Sequence, residues 1–247
     1  GRRKEIMQNI LEIKDVSFGY GKFDVLKNIS FYGKRGEILV LAGPNGSGKT
    51  TLIKLIFDLL HRERGEIYIK GKDNREIEAK KRIMYLQSDN LLPVFLTGEE
   101  YIKLMCKMYE HRFEKSLYLQ LVEYYEMKGI TDHLMEEYSH GMMKKIQLIS
   151  AFLIQPDIII IDETLNGIDI KAKEISIILM KKMRKKGKLV LLCTHDLLLA
   201  EQIGNRVELI NNGNIFAEIT LPFEEEDKSL VSTFKEMIKF EESKYEL

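Results

Sequence analysis

Residues 10–18 alternate apolar and polar, with Ile10, Leu11, Ile13, Val16 and Phe18 carrying the apolar beat. A period of two predicts a strand with one buried face. Residues 25–32 repeat it through Val25, Leu26, Ile29 and Phe31, and Gly19, Gly21 and Lys22 predict the turn between the two. Glu37–Ala42 is a short continuous apolar run instead, which fits a strand buried on both faces of a parallel sheet. Residues 157–162 and 188–194 read the same way, and 65–71 and 83–87 add two further strands. Leu52, Leu55, Ile56, Leu59 and Leu60 recur at helical spacing, predicting a helix from Lys49 to Leu60.

From about residue 97 to 155 the pattern turns helical, opening with a capping box of Thr97 and Glu100. Residues 171–186 predict a basic amphipathic helix. Residues 207–210 and 215–219 predict a hairpin around Asn211, Asn212 and Gly213. Strands alternating with helices imply a parallel sheet with helices packed on it. The stretch 89–155 reads as a helical subdomain inserted into that α/β core, after an antiparallel N-terminal pair. A tail, 223–247, begins with the acidic run Glu224–Asp227, read as solvated, and continues into a short helix carrying Phe234, Met237 and Ile238.

Composition narrows the class. The chain has 247 residues, enough for one large domain, and 45% hydrophobic residues, which rules out global disorder. Lys plus Arg and Asp plus Glu both number 38, so the balance gives no sign of a nucleic-acid partner, and none is expected. Cys106 and Cys193 make no metal-ligand pattern and read as reduced packing residues of a cytosolic protein. No apolar run approaches the roughly 18–20 residues of a membrane-spanning helix. Met7 is one candidate native start, with residues 1–6 foreign; a disordered native N-terminus fits equally. His61, His111 and His133 read as surface residues.

Gly43-Pro44-Asn45-Gly46-Ser47-Gly48-Lys49-Thr50, followed by Thr51, fits the phosphate-loop pattern, with a buried strand before it and a helix after it. Glycines let backbone N–H groups turn inward on phosphate, and the helix N-terminus favours the anion. Lys49 is expected on the β- and γ-phosphates, and the Thr50 hydroxyl on Mg²⁺. The motif alone specifies a nucleoside triphosphate, not which one. Asp162 and Glu163 close the apolar run Ile158–Ile161, at a strand end where open α/β sheets bind ligands. Asp162 is the natural Mg²⁺ partner. Glu163 is expected to point to the other side, where it serves as general base or orients water.

With these elements in place the chain, over roughly residues 10–220, resembles an ABC (ATP-binding cassette) nucleotide-binding domain. The resemblance implies a P-loop NTPase (RecA-like) core with a mainly parallel sheet, an N-terminal antiparallel β subdomain and an inserted α-helical subdomain, spanning residues 7–222. Val16–Tyr20 resembles the A-loop, which would stack Tyr20 on adenine. Gln87 matches the Q-loop glutamine, implying contact with Mg²⁺ or the attacking water. Tyr138-Ser139-His140-Gly141-Met142 resembles the signature motif: Ser139 and Gly141 match, while Tyr138, His140 and Met142 depart from it. Ser139 reads equally as a simple helix cap. Leu165–Asp169 resembles the D-loop, with Thr164 where the family usually has Pro. His195 matches the switch histidine that contacts the γ-phosphate.

The resemblance implies an ATPase using ATP and Mg²⁺, with catalytic roles for Lys49, Gln87, Glu163 and His195. It implies pairing with a second ABC ATPase subunit, homo- or heterodimeric, so that one subunit's phosphate loop faces the other's Ser139, Gly141 and Asp169. It also implies a separate integral membrane permease, docked near residues 90–110 at Leu91, Leu92, Val94, Phe95 and Leu96, with the chain peripheral on the cytoplasmic face. The signature form resembles exporter-type cassettes. Two other readings are a soluble non-transport ABC ATPase and a weakly hydrolysing regulatory module. About 50 residues between Gln87 and Ser139 leave no room for the long coiled coil of DNA-repair members, and the presence of Glu163 and His195 argues against a dead site.

Overall fold

The structure is a computed structural model describing residues 9–88, 91–222 and 229–235. The expectations placed on Met7, on Glu224–Asp227 and on Met237 and Ile238 lie outside these residues.

Two sheets form the frame. β1 (Asn9–Tyr20), β2 (Phe23–Lys34), β4 (Arg64–Ile69) and β5 (Lys72–Asp73) make an antiparallel sheet in the order β2-β1-β4-β5. β3 (Glu37–Ala42), β6 (Ile83–Leu86), β7 (Ile158–Asp162), β8 (Leu189–Thr194), β9 (Arg206–Asn211) and β10 (Asn214–Thr220) make the second, ordered β10-β9-β3-β8-β7-β6. It is parallel except for the closing β9–β10 hairpin. The hairpin turns at Asn212 and Gly213, both at positive φ (46° and 76°), the conformation that an Asn-Gly pair adopts most cheaply.

The apolar runs are buried on both faces, as their composition requires. On β3, Ile38, Val40 and Ala42 face one core and Leu39 and Leu41 the other; β7 and β8 divide likewise. The first core holds the helices α3 (Gly98–Met108), α4 (Lys115–Tyr124), α5 (His140–Ile154), α6 (Ile170–Lys185) and α7 (Leu197–Ile203). The second holds the antiparallel sheet and α1 (Lys49–Ile56), with the short α2 (Ile77–Lys80) at its edge through Ala79. Each fully buried Leu or Ile stabilises the fold by about 1.5–3 kcal/mol.

Some boundaries move. α1 stops at Ile56 rather than Leu60, because Asp58 takes a positive φ of 57° and the N–H groups of Leu59 and Leu60 turn back to the Lys54 carbonyl. The capping box of α3 forms in both directions between Thr97 and Glu100. α5 opens on Ser139, whose Oγ accepts from Met142 N at 3.2 Å. Of the cluster at 91–96, Leu91, Val94 and Phe95 are exposed while Leu92 and Leu96 pack against the core. Both cysteines are buried and free. His61 and His133 are exposed, but His111 is only partly so: its Nδ1 is buried and has no hydrogen-bond partner among the described residues. No helix among the described residues is long and apolar enough to cross a membrane.

Candidate functional site

Register assembles the site. Ala42 pairs with Thr194, Asp162 with Cys193, and Leu86 with Ile161, so four neighbouring parallel strands end together. The phosphate loop leaves β3, His195 leaves β8, Asp162 and Glu163 close β7, and Gln87 follows β6. Crevices at such ends are where open α/β sheets bind ligands.

The loop between β3 and α1 is tightly held. A Cβ on Gly43 would lie 2.1 Å from the Ile210 carbonyl oxygen, so the loop can start only with glycine. Gly48, at φ 106°, turns the backbone into α1 in a region closed to other residues. Ser47 O accepts from Gly213 N at 3.0 Å, and Gly213 O accepts from Lys27 N at 2.8 Å, tying the loop through the terminal hairpin to β2.

A cavity of about 190 Å³ opens over this loop. Asn45, Gly46, Gly48, Lys49, Thr50 and Thr51 line it, with Asp162, Glu163 and Val25 opposite. Lys49 Nζ donates to the carbonyl oxygens of Gly43 (2.6 Å) and Pro44 (3.0 Å). Burial lowers its pKa, and the neighbouring carboxylates oppose that shift. Asp162 Oδ2 accepts from Thr50 Oγ1 (3.2 Å) and Tyr85 Oη (3.1 Å). Burial nonetheless raises the Asp162 pKa. Asp162 Oδ1 and Ser47 Oγ are buried with no partner among the described residues. Unsatisfied buried oxygens are costly, and Asp162 lines the cavity together with Lys49. That donor set fits a triphosphate with a hard divalent cation: hydroxyl and carboxylate oxygens for the metal, N–H groups and a lysine for the phosphates.

Glu163 departs from its expected direction. Strand alternation would send it away from Asp162, but its φ of 55° breaks the alternation, and both carboxylates line the same cavity. One Glu163 oxygen lies 2.8 Å from His195 Nδ1, and the other accepts from Asn166 Nδ2. His195 is half-exposed and lines an adjoining cavity with Gly43, Pro44 and Asn45.

The remaining predicted residues sit outside this cavity. Tyr20, at the end of β1, is exposed and meets Phe18 edge-on at 5.0 Å between ring centroids. Gln87 is anchored by its backbone: its N–H donates to Gln147 Oε1 at 3.0 Å, which joins the end of β6 to α5. Ser139, Gly141 and Asp169 gather with one another instead. A Cβ on Gly141 would lie 3.3 Å from Gly167 O; Lys144 Nζ donates to Asn166 O; Lys145 Nζ lies 2.5 Å from Asp169. Asp169 also caps α6 by accepting from Ala172 N, and the Lys145 ammonium holds its pKa down.

Val25, Tyr85 and Gln147 join the site without a motif to mark them. Gln147 leaves a trace, a lone amide on an apolar helix. Asn166 falls within the D-loop-like segment, but its bond to Glu163, like the contact of Tyr85, depends on register and loop shape.

A glycine loop between a parallel strand and a helix, facing strand-end carboxylates, defines a P-loop NTPase core. Comparison narrows the class. The family model described as ABC transporter matches residues 26–166. A putative ABC transporter ATP-binding protein of Caldanaerobacter subterraneus subsp. tengcongensis is 30% identical, over 88% of this chain and 94% of the relative. The ABC-type transporter ATP-binding protein EcsA of Bacillus subtilis is 32% identical, over 86% of this chain and 88% of the relative. A solved ATP-binding subunit of an ABC transporter superposes with a TM-score of 0.85 at 30% identity, covering 93% of this chain and 99% of its own. An ATP-binding cassette solved as a dimer in a post-hydrolysis state with ADP and Pi gives 0.76 at 26% identity, covering 86% and 99%. The chain belongs to the ABC transporter family.

Proposed function

We propose that the cavity above Lys49 binds ATP with Mg²⁺ and hydrolyses it to drive a separate membrane permease. The chain is an ATP-binding subunit and an ATPase of its family. The observation that carries the site assignment is the buried, unpartnered Asp162 Oδ1, on a residue that lines the cavity together with Lys49.

In this reading Lys49 leaves the Gly43 and Pro44 carbonyls for the β- and γ-phosphates, and the N–H groups of residues 45–51 cradle the rest. Thr50 and Asp162 hold the metal, joined by Gln87. The metal, when bound, offsets the negative charge of the phosphate oxygens. Tyr20 covers the adenine face. Glu163 takes a proton from the attacking water as the new P–O bond forms and the bond to ADP breaks. Asn166 and His195 now hold one Glu163 oxygen each, and His195 would leave Glu163 to turn to the γ-phosphate. Ser139, Gly141 and Asp169 lie outside their own chain's cavity, which supports a role at the nucleotide of a second ABC ATPase subunit. The exposed Leu91, Val94 and Phe95 fit a contact with the permease, which would hold the chain at the cytoplasmic face of a membrane.

The test is Glu163→Gln. Hydrolysis should fall by about 10²–10⁴-fold, the scale of a lost general base, while ATP binding is kept and the mass in solution doubles with MgATP. ATP binding without doubling would remove self-pairing from the proposal. Undiminished hydrolysis would remove Glu163 as the base.

A further inference from the structure

Beside the nucleotide cavity lies a second one of about 330 Å³. Gly43, Pro44 and Asn45 of the phosphate loop form one wall, and His195 and Leu197 another. The last wall is Phe234, which belongs to neither segment. It sits on a helical turn, residues 230–235, that follows Ser229.

That turn is built into the fold. Leu230 is fully buried in the core that holds α3–α7. Its N–H donates to Glu201 Oε2 of α7 at 2.7 Å. Thr233 is buried, and its hydroxyl donates to Ser229 O at 2.8 Å. Phe234 packs on Phe216 of β10 with ring centroids 6.0 Å apart. The ring is therefore fixed from behind, and its front faces the two loops that carry the phosphate and switch chemistry.

We propose that Phe234 is a positioning residue for hydrolysis: its ring limits the travel of His195 and of Pro44–Asn45, so the C-terminal turn sets the geometry of the γ-phosphate end of the site. The proposal rests on the ATPase reading given above. The Lys49 and His195 side chains must change partners during turnover, since Lys49 now bonds the Gly43 and Pro44 carbonyls and His195 bonds Glu163. Without the ring, the adjoining cavity enlarges and both loops gain conformations in which the reacting groups are misaligned. Small misplacements of this kind cost rate far more than they cost binding.

The experiment compares Phe234→Ala, Phe234→Leu and the unaltered chain. Two quantities are read: steady-state MgATP hydrolysis, and the His195 ε1 proton resonance without nucleotide, assigned by its loss in His195→Ala. Phe234→Ala should lower kcat roughly three- to tenfold with KM within about twofold, the split expected of lost positioning rather than lost binding. Phe234→Leu, which restores apolar fill, should recover most of that rate. The His195 resonance should shift in Phe234→Ala. A folded Phe234→Ala with unchanged kcat overturns the proposal. So does a lowered kcat with an unmoved His195 resonance, because the loss would then not run through His195. The resonance is read without nucleotide, so failure of the ATPase reading is distinguishable from failure of this one.

Discussion

Two regions of the larger sheet bury charge, and they do so in opposite ways. Around Arg206 the charges are satisfied within the chain. Its guanidinium donates to Glu37 (2.9 and 3.2 Å), Glu208 (2.8 Å) and Glu218 (3.0 Å), and also to the Tyr32 carbonyl oxygen, while lying 4.3 Å from the Tyr32 ring centroid. Around Lys49 the charges are satisfied only in part. The ammonium rests on loop carbonyls, and Ser47 Oγ and Asp162 Oδ1 find no partner among the described residues. The first region joins β2, β3, β9 and β10 and is complete without a ligand. The second is left short of partners at the mouth of a cavity. Burial of charge is common to both; unfilled hydrogen-bond capacity on a cavity wall separates the second from the first.

Substitutions sharpen the contrast. Arg206→Ala should cost about 3–5 kcal/mol of stability, the scale of breaking a buried ion pair, with Glu37 left uncompensated. Denaturant unfolding reads this directly, and a loss under 1 kcal/mol would place the cluster among surface contacts. Lys49→Ala should do the reverse. ATP binding should weaken by about 2–5 kcal/mol, or thirtyfold to several thousandfold, with unfolding stability kept, because a buried charge is removed rather than orphaned. Titration with a fluorescent ATP analogue measures the loss; unchanged affinity would count against the cradle.

The same cluster also makes stability depend on pH. Burial pushes the Glu208 carboxyl above the ordinary glutamate value; Arg206 opposes the shift, and the carboxylates of Glu218 and Glu37 reinforce it. The folded state therefore binds a proton that the unfolded state releases near the ordinary glutamate value. The resulting stability is fully present below that value and is lost as pH rises through the raised one. Glu208→Gln keeps an acceptor for Arg206 and should flatten this slope. An unaltered pH profile in that variant would move the titration to another group.

Sequence exposed the parts of the molecule that depend on local pattern. The apolar runs gave the parallel strands, Thr97 and Glu100 gave a helix start, Asn212-Gly213 gave the hairpin, and the glycine spacing gave the cradle. What escaped depends on distant contacts. Arg206 and Glu37 lie on different strands far apart in sequence, and nothing in either segment names its partner. The helix α7 after His195 was missed: Asp196 caps it, but it is too short for periodicity to register. The direction of Glu163 was misread because alternation was carried one residue past the strand, where a positive φ overrides it. The roles of Tyr85, Asn166 and Gln147 needed the folded loops.

The turn at Asn212 and Gly213 has a practical bearing on engineering. Asn212 is exposed, so by accessibility the tip is an inviting place to graft an epitope or split the chain for circular permutation. Yet the next residue bonds to Ser47 on one side and Lys27 on the other, and a Cβ on it would lie 2.1 Å from the Val25 carbonyl oxygen. Lengthening that tip would tug on the loop proposed to hold the phosphates, so a graft there would act as an inhibitor rather than a label.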